Sequence, residues 1–241
     1  ARVKKNGVVI GGQGFPSATT SPDGERLIFQ TLFYDDFEGD NGWVFDYEFE
    51  RQKPQGLGGY TGTKTWGTPD PVNAVSGDTV IGVDLIGWNT YHGNYELMDT
   101  VNFHYATSPS FNLFYFSDVK MKFERQLSVY LFDYAFIEYS INNGTTWTRF
   151  WKNSQEGGSI AEPRWVEREY DLKDYVDRNE NVKIRFGLGP TGAYNSSSGW
   201  NIDNFLITGN YVTKDVGISE WMTPVEDCGR TSTEEVKVVV K

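Results

Sequence analysis

Between Leu32 and Phe205 the apolar residues recur in short runs, many alternating with polar ones, and Gly, Pro, Asn and Asp break one run from the next. A period of two places alternate side chains on opposite faces of a strand, so the pattern predicts strands near 79–85, 110–115, 119–123, 135–141, 145–151, 165–171 and 182–188. In Val182-Lys183-Ile184-Arg185-Phe186 the apolar residues share one face and the basic ones the other, which describes a half-buried strand. Between Phe136 and Phe150 the step Asn143-Gly144 supplies the positive φ angles of a tight hairpin turn. No long segment carries a helical period. Many strands without a long helix imply an all-β, two-sheet antiparallel sandwich.

The ends differ from this middle. Residues 1–30 read as a lead-in, a linker or the end of an upstream domain, with one apolar patch at Val8-Val9-Ile10. Residues 31–211 hold the main pattern. Residues 212–241 change character: Asp215 to Ile218 is extended, Pro224 to Arg230 is a polar loop, and Glu235 to Val240 is a strand. Two strands are too few for a stable domain, so this tail reads as the first hairpin of a following domain.

Composition narrows the setting. Aromatic residues make up 16% of the 241 residues and the wider hydrophobic set 38%, enough for a sizeable core. The formal net charge of −11 disfavours nucleic acid and anionic membrane surfaces as partners. No apolar run approaches the roughly 18 residues of a membrane span. A single cysteine, Cys228, excludes a disulfide within the chain.

The motifs that carry a resemblance come in order: Asp36-Phe37-Glu38-Gly39-Asp40-Asn41-Gly42-Trp43, Trp66-Gly67-Thr68-Pro69, Ser76-Gly77 leading to Gly82-Val83-Asp84-Leu85, Tyr139 to Thr148, and Gly199-Trp200-Asn201-Ile202-Asp203-Asn204-Phe205. Together they resemble the MAM-like and cleaved-adhesin jelly-roll domains of bacterial surface proteins, over about Phe33 to Gly209. The tail from Asp215 resembles the start of an adhesion-type immunoglobulin-like domain. That tandem is typical of proteins exported by type IX secretion, which implies an extracellular, secreted or cell-surface location. The lone cysteine sets the chain apart from MAM domains with disulfides. The closing strand has Asn204 where the family often has a second acid.

The resemblance implies a structural calcium ion held by Glu38 and Asp203, with Asp36, Asp40 and Asp78 in the matching loops. Calcium takes six to eight oxygen ligands, which such acids, carbonyls and water supply; the alternative is a solvated acidic turn. The aromatic stretch Trp88 to Tyr95, chiefly Trp88, Tyr91 and Tyr95, could stack on sugar rings, with Tyr60, Trp66 and Tyr194 as further candidates. Trp43, Trp66, Trp147, Trp165 and Trp200 are expected mainly in core or rim packing. Glu138, Glu124, Asp133, Glu167 and Asp171 are candidates for a glycosidase acid pair, but no spacing singles out two of them. Glu138 most simply faces solvent. His92 and His104 lack metal-ligand spacing. The expected function is therefore non-catalytic: adhesion to, or recognition of, a cell-surface glycan or protein, beside neighbouring domains of the same polypeptide. Rival expectations are an accessory module of a secreted peptidase and a glycoside hydrolase.

Overall fold

A computed structural model describes residues 3–5, 8–10, 18–20, 26–97, 99–213, 218–223 and 237–240, with side-chain burial for 29–97 and 99–212. Cys228 and the loop expected at 224–230 lie outside the described residues. The chain is built from strands β1 (Val3–Lys5), β2 (Val8–Ile10), β3 (Ala18–Thr20), β4 (Arg26–Asp35), β5 (Val44–Phe45), β6 (Phe49–Gln52), β7 (Val80–Val83) and β8 (His104–Thr107). They are followed by β9 (Phe116–Val129), β10 (Ala135–Ser140), β11 (Thr148–Lys152), β12 (Ile160–Ala161), β13 (Val166–Asp171), β14 (Lys183–Leu188), β15 (Gly199–Thr213), β16 (Ile218–Thr223) and β17 (Lys237–Val240).

Two antiparallel sheets face each other in a jelly roll. One runs β11-β10-β14-β8-β5; the other is centred on β9, β15 and β4, with β3, β6, β7, β12 and β13 at its margins. Between them lie Phe123, Phe186, Trp200, Phe205 and Ile207, all buried, with Phe186 and Trp200 rings 5.4 Å apart. Two short antiparallel ladders, β1 with β2 and β16 with β17, complete the described strands.

Two local expectations change. The run 110–115 makes a single bridge, Phe111 to Val182, because the next donor, Leu113 N–H, turns to the Asn179 carbonyl. The Asn143-Gly144 step has the expected positive φ values, 57° and 89°. Its hairpin is nevertheless wider than a two-residue turn, since pairing stops at Tyr139 opposite Thr148. Asn142 fills the gap: its carbonyl accepts from Thr145 N–H and its side-chain Oδ1 from Thr146 N–H.

The first and last long strands are neighbours: β4 pairs with β15, with Asp35 opposite Phe205. On β15 the inward positions are Trp200 and Ile202, so Asn201 and Asp203 face outward. They are nevertheless fully buried, because the segment between β6 and β7 crosses over them. Val75 and Ser76 N–H groups bind Asp203 Oδ2, Asn201 binds Asp70, and Gln126 binds the Pro69 carbonyl.

Candidate functional site

The outer face of the five-stranded sheet follows from its register. Phe136 stands opposite Lys152 on one side and Gly187 on the other, and Gly187 stands opposite Tyr105. The next row is Arg149, Glu138, Arg185, Thr107 and Val44. Directly opposed residues share a face and touch. Glu138 therefore lies between two arginines. Its Oε1 accepts from Arg149 Nε and Nη2 at 3.1 and 2.9 Å, and its Oε2 from Arg185 Nε and Nη2 at 2.8 and 2.6 Å.

The guanidinium groups lie on aromatic rings: Arg149 is 3.5 Å above Phe136, while Arg185 is 3.8 Å from the Tyr105 centroid and 4.1 Å from Trp147. Stacking and ion pairing together fix both planes. Glycine at 187 is required by space. A Cβ there would stand 2.2 Å from the Phe136 ring, which lies across it. Glu138, expected as a solvated strand residue, points outward but is only 7% exposed, since the two arginines cover it.

Phe103 extends this surface. It packs edge-on to Phe136 and stacks with Tyr105, then lines a cavity of about 560 Å³ with Asp46, Tyr47, Glu96, Asp99 and His104. His104 Nε2 is 2.6 Å from Asp99 Oδ2, and its ring lies 4.7 Å from that of Tyr47. Tyr47 carries a φ of 44°, uncommon for a bulky residue. Its hydroxyl donates to Glu96 at 3.0 Å, which pushes its pKa up. Trp88, half exposed, packs edge-on against Tyr47 at 5.6 Å.

Of the aromatic residues expected to meet a ligand, Trp88 thus packs on Tyr47 at the cavity's edge without lining it, and Tyr91 is half-buried in the neighbouring loop. Tyr95 corrects the expectation. It is fully buried, donates its hydroxyl to Asp133 at 2.6 Å and accepts from Tyr130 N–H, so no sugar ring can reach it. Tyr60 and Tyr194 are exposed elsewhere, and Trp66 packs on Tyr130. Trp147, expected in core or rim packing, lies half-buried on the outer face. The sequence reading missed Arg149, Arg185, Tyr105, Phe103 and Tyr47. The alternation Lys183-Ile184-Arg185 was the available signal, because it put basic residues on the outer face.

The acids weighed as a hydrolase pair are dispersed and occupied. Glu138 is shared by two arginines, Asp133 is bound by Tyr95, Glu167 pairs with Lys122 at 2.5 Å, and Asp171 caps Lys173 N–H. Glu124 sits across the ladder from Asp203 and Glu167, on the other sheet.

Glu38 and Asp203 bind the same loop from two sides. Glu38 Oε1 accepts from the N–H groups of Asp78 and Thr79, which holds its pKa below the usual range. Burial raises that of Asp203, despite amide bonds from Ser76, Asn204 and Val75, and the charge of Asp36 adds to the rise. Asp36 and Asp40 accept from the N–H groups of Glu38 and Gly42, and Asp78 pairs with Lys53. Among the described residues no three His, Cys, Asp or Glu side chains gather as a metal cage. The oxygens of Glu38, Asp203, Asp36, Asp40 and Asp78 that are in contact are taken by backbone N–H groups and by Lys53.

No protein-family model matches the sequence, and no curated protein matches it. Among solved structures, the CBM22-1 xylan-binding domain from Paenibacillus barcinonensis Xyn10C is 12% identical at a TM-score of 0.42, over 76% of this chain and 95% of that one. The K2 cleaved adhesin domain of Lys-gingipain is 16% identical at 0.41, over 73% and 98%. TmCBM61, solved with beta-1,4-galactotriose, is 13% identical at 0.38, over 69% and 87%.

Proposed function

We propose that this chain is a non-catalytic recognition module that binds glycan on the outer face of its five-stranded sheet. In this reading it serves adhesion in a secreted or surface-displayed bacterial protein. The row Arg149-Glu138-Arg185 beside half-exposed Phe103 and half-buried Trp147 carries the reading, with Phe136 buried beneath Arg149 as its support. Sugar rings offer apolar C–H faces to aromatic side chains and hydroxyls to fixed donors and acceptors. Here both kinds of group are held in place before any ligand arrives, which lowers the ordering cost of binding. The extracellular setting comes from the motifs in the sequence. No described helix is long and apolar enough to cross a membrane.

Calorimetric titration against a panel of plant and bacterial oligosaccharides tests the reading. Phe103→Ala and Trp88→Ala remove half-exposed rings, so each is expected to weaken binding roughly tenfold, about 1.4 kcal/mol, with little change in melting temperature. A panel without a binder, or variants that bind as the parent does, would contradict it.

Calcium belongs to the same proposal, at Glu38 and Asp203 with Asp36, Asp40 or Asp78, tying the segment before β7 to the first and last long strands. A ligand that binds only the folded state raises stability by mass action. Calcium is therefore expected to raise the melting temperature by several degrees over excess chelator, and Asp203→Ala to abolish that gain. Identical melts with calcium and chelator would remove calcium from the account.

A further inference from the structure

The outer face carries an excess of one charge. Arg149, Lys152, Lys183 and Arg185 lie on it by register, against Glu138 in their midst and Asp46 at the margin beside Tyr105. This cationic island sits in a chain of formal net charge −11. The four guanidinium bonds to Glu138 use only Nε and Nη2 of each arginine. That leaves Nη1 of both outside the ion-pair network. Side chains of Arg149 and Arg185 keep 34% and 17% of their exposure, so ligand atoms can reach them without displacing Glu138.

Resting on the glycan-binding reading, we propose that the ligand is an acidic glycan, a chain of uronic-acid sugars whose carboxylates meet Arg149 and Arg185 while the ring faces lie on half-exposed Phe103 and half-buried Trp147. A planar carboxylate matches a guanidinium edge, and such charge-assisted bonds are about twice as strong as neutral ones. Lys152 and Lys183 flank the pair and attract the same charge over longer range. The acids Glu96 and Asp99 line the cavity with Phe103, and Asp46, whose Oδ1 accepts from Tyr105 N–H, stands where the cavity meets the face. They set a limit to the acidic subsites on that side and suit hydroxyls instead.

A matched pair of probes separates charge from shape: tetragalacturonate and its fully methyl-esterified form, which differ only in the carboxylate charge. At low salt the acid is expected to bind at least tenfold more tightly than the ester. Raising sodium chloride to half molar should shrink that preference, because partly exposed charges are screened. Arg149→Gln and Arg185→Gln should remove the preference. Lys152→Gln with Lys183→Gln, which leaves the ion pairs intact, should reduce both the preference and its salt dependence. Equal binding of acid and ester would overturn the acidic assignment and leave glycan recognition standing. A polyglutamate peptide or a sulfated galactose oligomer bound as tightly as tetragalacturonate would also overturn it. Binding of neither probe, nor of any neutral oligosaccharide in the panel, would overturn both readings.

Discussion

Replacing Arg125 with Leu is expected to lower stability by about 3 kcal/mol, because it removes the closest counter-charge of buried Glu162 and leaves only the partly exposed Arg168 to pair with Glu162 and Glu156. On β9 the residues Val119, Met121, Phe123, Leu127 and Val129 all point into the core, and period two puts Arg125 in the same row. Its side chain is fully buried. Arg125 Nη2 lies 2.6 Å from Glu162 and 2.8 Å from Glu156, and its guanidinium is 5.0 Å from the Trp151 ring. Glu162 also takes the Leu127 N–H, so one arginine fixes the ladder, the short helical turn at Asn153–Glu156 and Trp151 together. At roughly 2–4 °C per kcal/mol for a domain of this size, the melting temperature should fall by about 10 °C. A loss below a degree would mean that the network contributes nothing net.

Asp70→Asn has the opposite expected sign. Asp70 is 2% exposed, accepts Asn201 Nδ2 on Oδ1 at 2.7 Å, and leaves its Oδ2 and the Asn201 Oδ1 without partners. Two buried acceptors therefore share one donor group. Burial pushes the Asp70 pKa well above the carboxylate range, and the charges of Asp84 and Glu50 push it further. A proton on Oδ2 would pair with Asn201 Oδ1 and satisfy both orphans. Because the folded pKa is raised, this group's stabilisation is fully present below the unfolded value of about 3.9 and is lost as pH rises through the folded value.

Glu48, pushed up to about 8 chiefly by burial, acts in the same sense. Stability should thus fall from mildly acidic to mildly alkaline pH. Asparagine at 70 supplies a permanent N–H₂ donor, so the variant should gain about 1–3 kcal/mol at pH 8 and depend less on pH. Melts from pH 5 to 8 check this. A destabilised variant at pH 8 would mean that a cation, not a proton, serves these oxygens.

Much of the fold was legible because alternation survives wherever one face is buried. Val119 to Phe123 lies wholly on a strand, and Val182 to Phe186 and Ala135 to Ile141 do so to within one residue. The short edge strands β5 and β6 were not legible, since two to four residues give no measurable period. Arg125 and Asn201 stand where charge or polarity argues against burial. Only the acids that meet Arg125, and the segment that covers Asn201, reveal why they are inside. The candidate site was half visible. Lys183 and Arg185 were placed on an outer face, but the role of Glu138 needed the pairing of three strands, which no single stretch of sequence contains. Tyr95 misled for a related reason: its aromatic neighbourhood reads as a surface loop until Asp133 closes over its hydroxyl.

The most direct test of the central claim is a ¹H–¹⁵N NMR titration with the best-bound oligosaccharide of the panel, following the Arg Nε–H and Trp Nε1–H resonances. The account predicts that Arg149, Arg185 and Trp147 shift together and saturate at the calorimetric Kd, while Trp66 and Trp165 on other surfaces stay still. Shifts confined to Trp66 or Trp165, with the two arginines unmoved, would contradict it.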